Sequence, residues 1–229
     1  MRQLYYFKPW IGTNYWTEEN MFKCRILALG DSHYCNNPCP LGNKMLCGVA
    51  SSASHEKMAH CLSFTQDVIK KYIGYHGKGI GRWAATYTKF AKSLAGGKQC
   101  KKDIVDIWNS ISFYNLVQAN VQYKSGESDR CLSYNGINLY EKSCPAIPSV
   151  IEELRPDIII VWGEKAWNAF FNYFHDSSNM NCLTNYEKPL VNVLQSRGTR
   201  KSVPIAIKIP HPRNSNYDKT EILFEGLLC

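Results

Sequence analysis

Two polar clusters, each following an apolar run, are the residues of this chain best suited to chemistry. One run near the amino end stops on Gly30–Tyr34 (GDSHY), and another near the carboxyl end stops on Pro210–Arg213 (PHPR). In an open α/β sheet, ligands bind in the crevice beyond the carboxyl ends of the strands. We therefore expect the carboxylate of Asp31, the hydroxyl of Ser32 and the imidazole of His211 to meet there. This combination indicates hydrolytic chemistry.

The apolar runs that deliver these clusters predict the fold. They carry no polar alternation, which is typical of strands covered on both faces of a parallel sheet. The predicted strands are Arg25–Leu29, Ile111–Tyr114, Ile158–Trp162, Val191–Leu194 and Val203–Ile209. Helical periodicity predicts helices over residues 55–73, 82–94, 147–154, 164–174 and 218–228. The expected architecture is an α/β three-layer αβα sandwich with a central, largely parallel sheet.

Length and composition are consistent with one domain of this kind. The 229 residues fit a single domain over 1–229, with residues 1–23 as an extended amino-terminal arm and polar loops at 35–54 and 122–146. No stretch approaches the roughly 20 apolar residues of a membrane helix, and no signal peptide is recognisable. We therefore expect a cytoplasmic monomer without a membrane partner. The net charge of +8 favours an anionic partner such as nucleic acid, and a role in solubility alone is equally compatible with it.

Four segments in sequence order resemble the uracil-DNA glycosylase superfamily. Gly30–Tyr34 is similar to the motif in which the first strand of those enzymes ends. Ile111–Asn115 resembles the strand whose terminal Asn reads the flipped base. Leu154–Trp167 resembles the "P-x-x-I-V-x-L-G-x-x-A" strand and helix start, and Pro210–Pro212 resembles the H-P-S motif. The resemblance implies a DNA glycosylase that removes a uracil-like, damaged or hypermodified base, including modified phage bases in antiviral defence.

The resemblance also implies a role for each matching residue. Asp31, with Ser32 beside it, is expected to support the positive charge on the sugar and to orient water. His211 is expected to stabilise the departing base, and Asn115 to pair with the base edge. Each has a structural alternative: Asp31 and Ser32 as caps of a turn, His211 as a rigid loop residue between two prolines, and Asn115 as a strand-end turn residue.

Other residues are expected to surround the base or contact the DNA backbone. His33 or Tyr34 is predicted as a wall of the base pocket, since flipped bases are held by stacking. Phosphate contacts, or filling of the vacated stack, are predicted for Arg197, Arg200, Lys201, Arg213 and Asn214. For the basic turn at 197–201, a solvated hairpin is the leading alternative. Arg213 also stands where the family motif has Ser.

Ten cysteines are many for a protein of a reducing compartment. A structural zinc site is the minority hypothesis, with Cys35, Cys39, Cys47 and Cys61 as its ligands. Apart from the terminal Cys229, the others are expected to be buried thiols, namely Cys24, Cys100, Cys131, Cys144 and Cys182. No cofactor is required by the proposed chemistry, since no phosphate-cradling glycine motif follows a strand.

Two competing functions use the same residues. In G-D-S-L esterases a strand ends in Gly-Asp-Ser with Ser as nucleophile, which would make Ser32 catalytic. Those enzymes carry an Asp three residues before the catalytic His, whereas Lys208 occupies that position before His211. The other alternative is a catalytically inactive nucleic-acid-binding module, since a fold does not determine a function.

Overall fold

The apolar runs of the sequence form the strands of one sheet. A computed structural model describes residues 7–33, 62–95, 103–118, 133–134, 137–176, 184–185 and 204–213. Its strands are β1 (Trp10–Ile11), β2 (Ile26–Gly30), β3 (Ile111–Asn115), β4 (Ser133–Tyr134), β5 (Ile137–Asn138), β6 (Ile158–Trp162), β7 (Thr184–Asn185) and β8 (Ile205–Ile209). Within the described residues, β4 and β5 form an antiparallel pair, and the other six strands form a sheet in the order β1-β3-β2-β6-β8-β7.

The sheet is almost entirely parallel. Strands β3, β2, β6, β8 and β7 run in one direction, and only the edge strand β1 runs antiparallel to its neighbour β3. Gly30 of β2 is opposite Asn115 of β3, and Leu29 is opposite Val161 of β6. The prediction that the four longest runs are neighbours in one largely parallel sheet is therefore confirmed. Their carboxyl ends all lie at the same edge.

Helices contact both faces of this sheet, as an α/β protein requires. They are α1 (Phe64–Gly74), α2 (Ala84–Leu94), α3 (Ile104–Asn109), α4 (Leu139–Ser143), α5 (Ile147–Leu154) and α6 (Glu164–Asp176). Because side chains alternate along a strand, β2 contributes to two separate cores. Ala28 packs in one core with Phe90 of α2, and Leu29 packs in the other with Phe170 of α6. The α/β class is confirmed.

A partly buried ion pair links the starts of two central strands. The Asp157 carboxylate, just before β6, accepts hydrogen bonds from the backbone N–H of Arg25 at 2.8 Å and from its guanidinium at 3.1 and 3.2 Å. The carboxylate raises the pKa of Arg25 through these bonds. Arg155, which ends α5, adopts a left-handed conformation with φ of 43° and lets the chain turn into β6. The turn at residues 155–157 therefore leads into β6 while Asp157 ties the start of this strand to Arg25 before β2.

Two predicted irregular segments contain regular structure. The arm predicted over residues 1–23 contributes the edge strand β1, whose Trp10 Nε1 donates to the Trp108 carbonyl at 3.0 Å. The segment 122–146, predicted as a polar loop, contains β4, β5 and α4. These elements span only two to five residues each, too few for a recognisable period. Helix α3 was also not predicted, and the strand expected at 191–194 and the helix expected at 218–228 lie outside the described residues.

Within the described part of the chain, no helix combines the length and the apolar character needed to cross a bilayer.

Candidate active site

Three predicted site residues follow neighbouring parallel strands at the same edge of the sheet. Asp31 comes directly after β2, Asn115 is the last residue of β3, and His211 lies two residues after β8. β2 is adjacent to β3, while β6 separates β2 from β8. At about 4.8 Å between neighbouring strands, β2 and β8 lie about 10 Å apart, and β3 lies about 14 Å from β8. The three residues therefore lie along one stretch of the carboxyl edge, where α/β sheets bind their ligands.

Asn115 is held against the backbone of β2. A Cβ atom at Gly30 would meet the Asn115 Oδ1 atom and lie 2.6 Å from the Phe113 ring, so only glycine permits this approach. The Asn115 side chain is buried, and its backbone carbonyl accepts a hydrogen bond from Gln118 Nε2 at 2.8 Å. The carboxamide offers both a donor and an acceptor at the sheet edge. Such a rigidly held amide is suited to reading a planar hydrogen-bonding edge.

The carboxylate of Asp31 is bonded to a residue that the sequence pattern did not indicate. Its Oδ1 atom accepts a hydrogen bond from the hydroxyl of Tyr140 in α4, and its backbone carbonyl accepts from Val117 N at 3.0 Å. Tyr140 itself is buried, while Asp31 is partly exposed. The bond from Tyr140 fixes the orientation of the carboxylate, while Asp31 stays accessible. Such a carboxylate can interact electrostatically with a bound ligand.

A local signal for α4 was present in the sequence. Asn138 caps the helix by accepting from Tyr140 N at 3.1 Å, and its amide donates to Glu141 at 2.8 Å. An Asn followed three residues later by Glu is typical of a helix start. Recognising this pattern would have predicted a helix inside the segment assigned as a loop, with Tyr140 in its first turn.

His211 has a defined proton arrangement. Its Nδ1 atom accepts a hydrogen bond from the backbone N–H of Arg213 at 3.2 Å, so the neutral ring carries its proton on Nε2. The ring lies edge-on to Trp162, with centroids 6.1 Å apart. Gly163, with φ of 87°, allows this approach, because a Cβ there would lie 3.3 Å from the His211 Cβ. His211 therefore presents a hydrogen-bond donor.

This arrangement differs from that of a Ser-His hydrolase. In such an enzyme the histidine Nδ1–H donates to a carboxylate and Nε2 takes the serine proton. Here Nδ1 of His211 is an acceptor, and Lys208, three residues earlier, pairs with Glu164 at 2.8 Å. Ser32 is buried, with 8% of its surface exposed. These contacts disfavour the esterase hypothesis.

His33 is a core residue and not an open pocket wall. Its Nδ1–H donates to the Val117 carbonyl at 3.2 Å, and its Nε2 accepts from the Thr65 hydroxyl at 2.7 Å. Phe7 stacks on the ring at a centroid distance of 4.0 Å. Burial lowers the pKa of His33 from 6.5 to about 3, so the ring is neutral. With both nitrogens bonded and one face covered, His33 does not have the open face that stacking on a base requires, which corrects the predicted role.

An aromatic cluster lies beneath the edge that carries His211. The Trp162 ring packs against Phe90 and Phe113, with centroids 4.7 and 5.1 Å apart. The Trp162 Nε1–H is buried and has no hydrogen-bond acceptor among the described residues. An apolar floor of this kind strengthens hydrogen bonds made above it, because the local dielectric is low.

The other predicted site residues divide into two groups. Arg213 is exposed, and its carbonyl accepts a hydrogen bond from Lys89 Nζ at 3.5 Å. Outside the described residues lie Tyr34, Arg197, Arg200, Lys201, Asn214 and the four proposed zinc ligands Cys35, Cys39, Cys47 and Cys61. In the described ranges, no group of three or more His, Cys, Asp or Glu side chains is placed to hold a metal ion. Cys24 and Cys144 are buried free thiols as predicted, and burial raises the pKa of Cys144 to about 12.

Comparison with protein-family models and with curated proteins identifies no relative of this chain. Because one α/β architecture serves many unrelated functions, function has to be argued from the site itself.

Proposed function

We propose that this chain is a DNA glycosylase of the uracil-DNA glycosylase type. It hydrolyses the N-glycosidic bond of a flipped uracil-like, damaged or hypermodified base. The observation that carries the proposal is the common edge at which Asp31, Asn115 and His211 follow parallel strands. We further propose that the whole chain forms a three-layer αβα sandwich that acts as a cytoplasmic monomer and requires no cofactor.

In the proposed mechanism, His211 stabilises the negative charge that develops on the base, and Asp31 stabilises the positive charge that develops on the sugar. As the bond between C1′ and the base breaks, its electron pair moves onto the base and positive charge develops on the sugar. The Nε2–H of His211 donates to the base as it becomes negative, which is supported by the Nδ1 bond to Arg213. Asp31 stabilises the sugar cation and takes the proton of the water that adds to C1′. The base anion takes a proton from solvent water as it leaves, and Asp31 returns its proton to solvent.

Asn115 is proposed to select the base. Its carboxamide can donate to one atom of the base edge and accept from the next, as uracil-like rings require. The Asn115 Oδ1 atom lies close to the Gly30 backbone, and this contact limits the movement of the amide toward the sheet. Selection therefore depends on the register between β2 and β3, which brings Gly30 and Asn115 opposite each other.

A base-release assay tests this function. The purified protein is incubated with single-stranded and duplex DNA carrying uracil, damaged bases or hypermodified bases, and alkali then reveals abasic sites as strand breaks. We expect release of at least one base, and its loss in Asp31→Ala. DNA binding without release of any base would instead favour the inactive binding module. Hydrolysis of simple esters that disappears in Ser32→Ala would favour the esterase.

A further inference from the structure

A cationic surface is formed by α1, α2 and the turn that connects them. From Val68 to Ala95 the chain contains no Asp or Glu. Six exposed cations fall in this stretch: Lys70, Lys71, Lys78, Arg82, Lys89 and Lys92. None of them forms a salt bridge with an acid in the described parts of the chain. The described acids that flank the stretch have other partners: Asp67 accepts a hydrogen bond from the Ser63 hydroxyl at 2.6 Å, and Asp103 faces His76 at 3.7 Å and caps α3. The six cations outnumber these two acids, so the surface carries a net positive charge.

The turn between these helices also presents aromatic side chains to solvent. In residues 75–83, here called the basic loop, Tyr75 is 57% exposed and Trp83 is 38% exposed. Aromatic rings that are exposed beside cations offer flat surfaces on which a partner can stack. Both lie among Lys78 and Arg82, so an anionic partner with flat apolar faces is complementary to the loop. Nucleic acid bases joined by phosphates have this chemistry.

The basic loop has a defined conformation. His76 N donates to the Ile73 carbonyl at 2.8 Å, Gly77 N to the Tyr72 carbonyl at 2.9 Å, and Lys78 N to the Tyr75 carbonyl at 2.9 Å. Trp83 lies edge-on to Tyr87, with centroids 5.6 Å apart, and this contact holds its ring at the start of α2. Such preorganisation lowers the entropy cost of binding.

The basic surface is continuous with the catalytic edge. Lys89 and Lys92 are exposed and three residues apart on α2, and the exposed Arg82 lies two residues before the helix begins. The Lys89 Nζ atom reaches the carbonyl of Arg213, two residues after His211. A strand bound along α2 therefore leads from the basic loop to the proposed active site.

We propose that the basic loop and the exposed side of α2 bind a single-stranded segment of DNA, by stacking bases on Tyr75 and Trp83 and pairing phosphates with the cations between them. Stacking on exposed rings requires unpaired bases, which favours a single strand over a duplex. The proposal rests on the proposed function only for the choice of DNA as the nucleic acid. It adds a binding surface that adjoins the catalytic edge and contains none of the proposed catalytic residues.

Fluorescence anisotropy with a labelled 20-nucleotide oligothymidine tests the surface directly. Tyr75→Ala should weaken binding about fivefold or more, the loss expected for one stacked base. The double variant Lys78→Ala/Arg82→Ala should reduce the slope of log affinity against log salt by about 1.4, or 0.7 per lost phosphate contact. Thermal unfolding of each variant verifies that the fold is retained.

Matched variants elsewhere on the chain serve as controls. Trp16, 51% exposed and beside Arg25, is the control for Tyr75, and Lys142→Ala/Lys165→Ala removes the same charge from α4 and α6. We expect both controls to retain affinity within about twofold. Equal losses in the control and loop variants would overturn the proposal. Tighter binding of a duplex or an oligouridine of the same length would overturn the assignment to single-stranded DNA.

The anisotropy experiment separates this proposal from the glycosylase activity. If no base is released but the loop variants alone lose oligothymidine binding, the surface is supported and the glycosylase is rejected. If base release occurs and the loop variants bind like the wild type, the surface is rejected while the glycosylase stands. Where both hold, the loop variants should raise KM for single-stranded substrate and leave kcat unchanged, because they touch no reacting atom.

Discussion

At the scale of single residues, one backbone contact determines what His211 can do. The amide of Arg213 donates to Nδ1, which places the proton of the neutral ring on Nε2. A neutral histidine held in this tautomer donates a hydrogen bond but cannot act as a base through Nε2. The role proposed for His211 is therefore stabilisation of developing negative charge.

Replacing His211 with alanine tests this role. We expect the rate of base release to fall by about 10²–10³, the cost of losing one donor to developing negative charge. DNA affinity should change little, because the bond strengthens mainly in the transition state. Single-turnover release measures the first quantity and anisotropy the second. His175→Ala, at an exposed position on α6, is the control. A His211→Ala enzyme with wild-type rate would contradict the assignment.

Tyr140 is expected to position the Asp31 carboxylate. Tyr140→Phe removes the hydroxyl that donates to Oδ1 and should lower kcat by about tenfold or more, the typical effect of a hydrogen bond to a charged group. The distinguishing measurement is a double-mutant cycle with Asp31→Asn. If Tyr140 acts through Asp31, its removal should have almost no effect in that background. Additive losses would mean that Tyr140 supports the fold alone.

At the scale of elements, His33 joins three segments beside the site. It follows β2, bonds the chain after β3 through Val117, and bonds the start of α1 through Thr65. Burial keeps the ring neutral by lowering its pKa, so Nδ1–H donates to Val117 and Nε2 accepts from the Thr65 hydroxyl. The alignment of β2, β3 and α1 thus depends on one uncharged histidine.

The stability of the protein should consequently depend on pH through His33. Its pKa falls from 6.5 to about 3 on folding, so below pH 6.5 the unfolded chain binds a proton that the folded chain excludes. The free energy of unfolding should therefore fall as pH drops, by about 2 kcal/mol between pH 7 and pH 5 from this group. Urea unfolding at several pH values measures this dependence. His33→Gln should reduce the slope, whereas the exposed His175→Gln should retain it.

At the scale of the whole molecule, the excess of positive charge is the feature on which the proposed binding of DNA depends. The chain carries 27 Lys and Arg residues against 19 Asp and Glu, and the stretch from Val68 to Ala95 holds six of these cations and no acid. A cationic surface raises the local concentration of a polyanion and speeds association. The electrostatic field of this surface acts on any nucleic acid, whereas the proposed selection of the base depends on the residues of the candidate active site.

DNA affinity should therefore fall steeply with salt. We expect a loss of about tenfold or more between 50 and 200 mM salt, because each phosphate contact releases condensed counterions. The rate of base release from saturating DNA should remain nearly constant over the same range, since the proposed catalytic contacts are short. Anisotropy titrations and single-turnover assays at matched salt concentrations provide the two measurements. An affinity independent of salt would exclude the phosphate backbone as the main ligand.

Much of the sheet was predictable because burial has a local signature. Ile158–Trp162 has no polar residue and is buried throughout, as a strand covered on both faces requires. The turn residues before β6 and the glycine after it marked its ends. β1 was not predicted, because a two-residue strand has no period and pairs with a segment about 100 residues away.

The sequence by itself determined which segments are buried and which polar residues end them, since both follow from the order of residues along a few turns or strands. That was enough to place Asp31, Asn115 and His211 at one edge of a parallel sheet. Only the tertiary structure decided their partners. Tyr140 reaches Asp31 across 109 residues, and His33 faces Phe7 in the core instead of a ligand. Such contacts depend on strand order, register and helix placement, which no local pattern specifies.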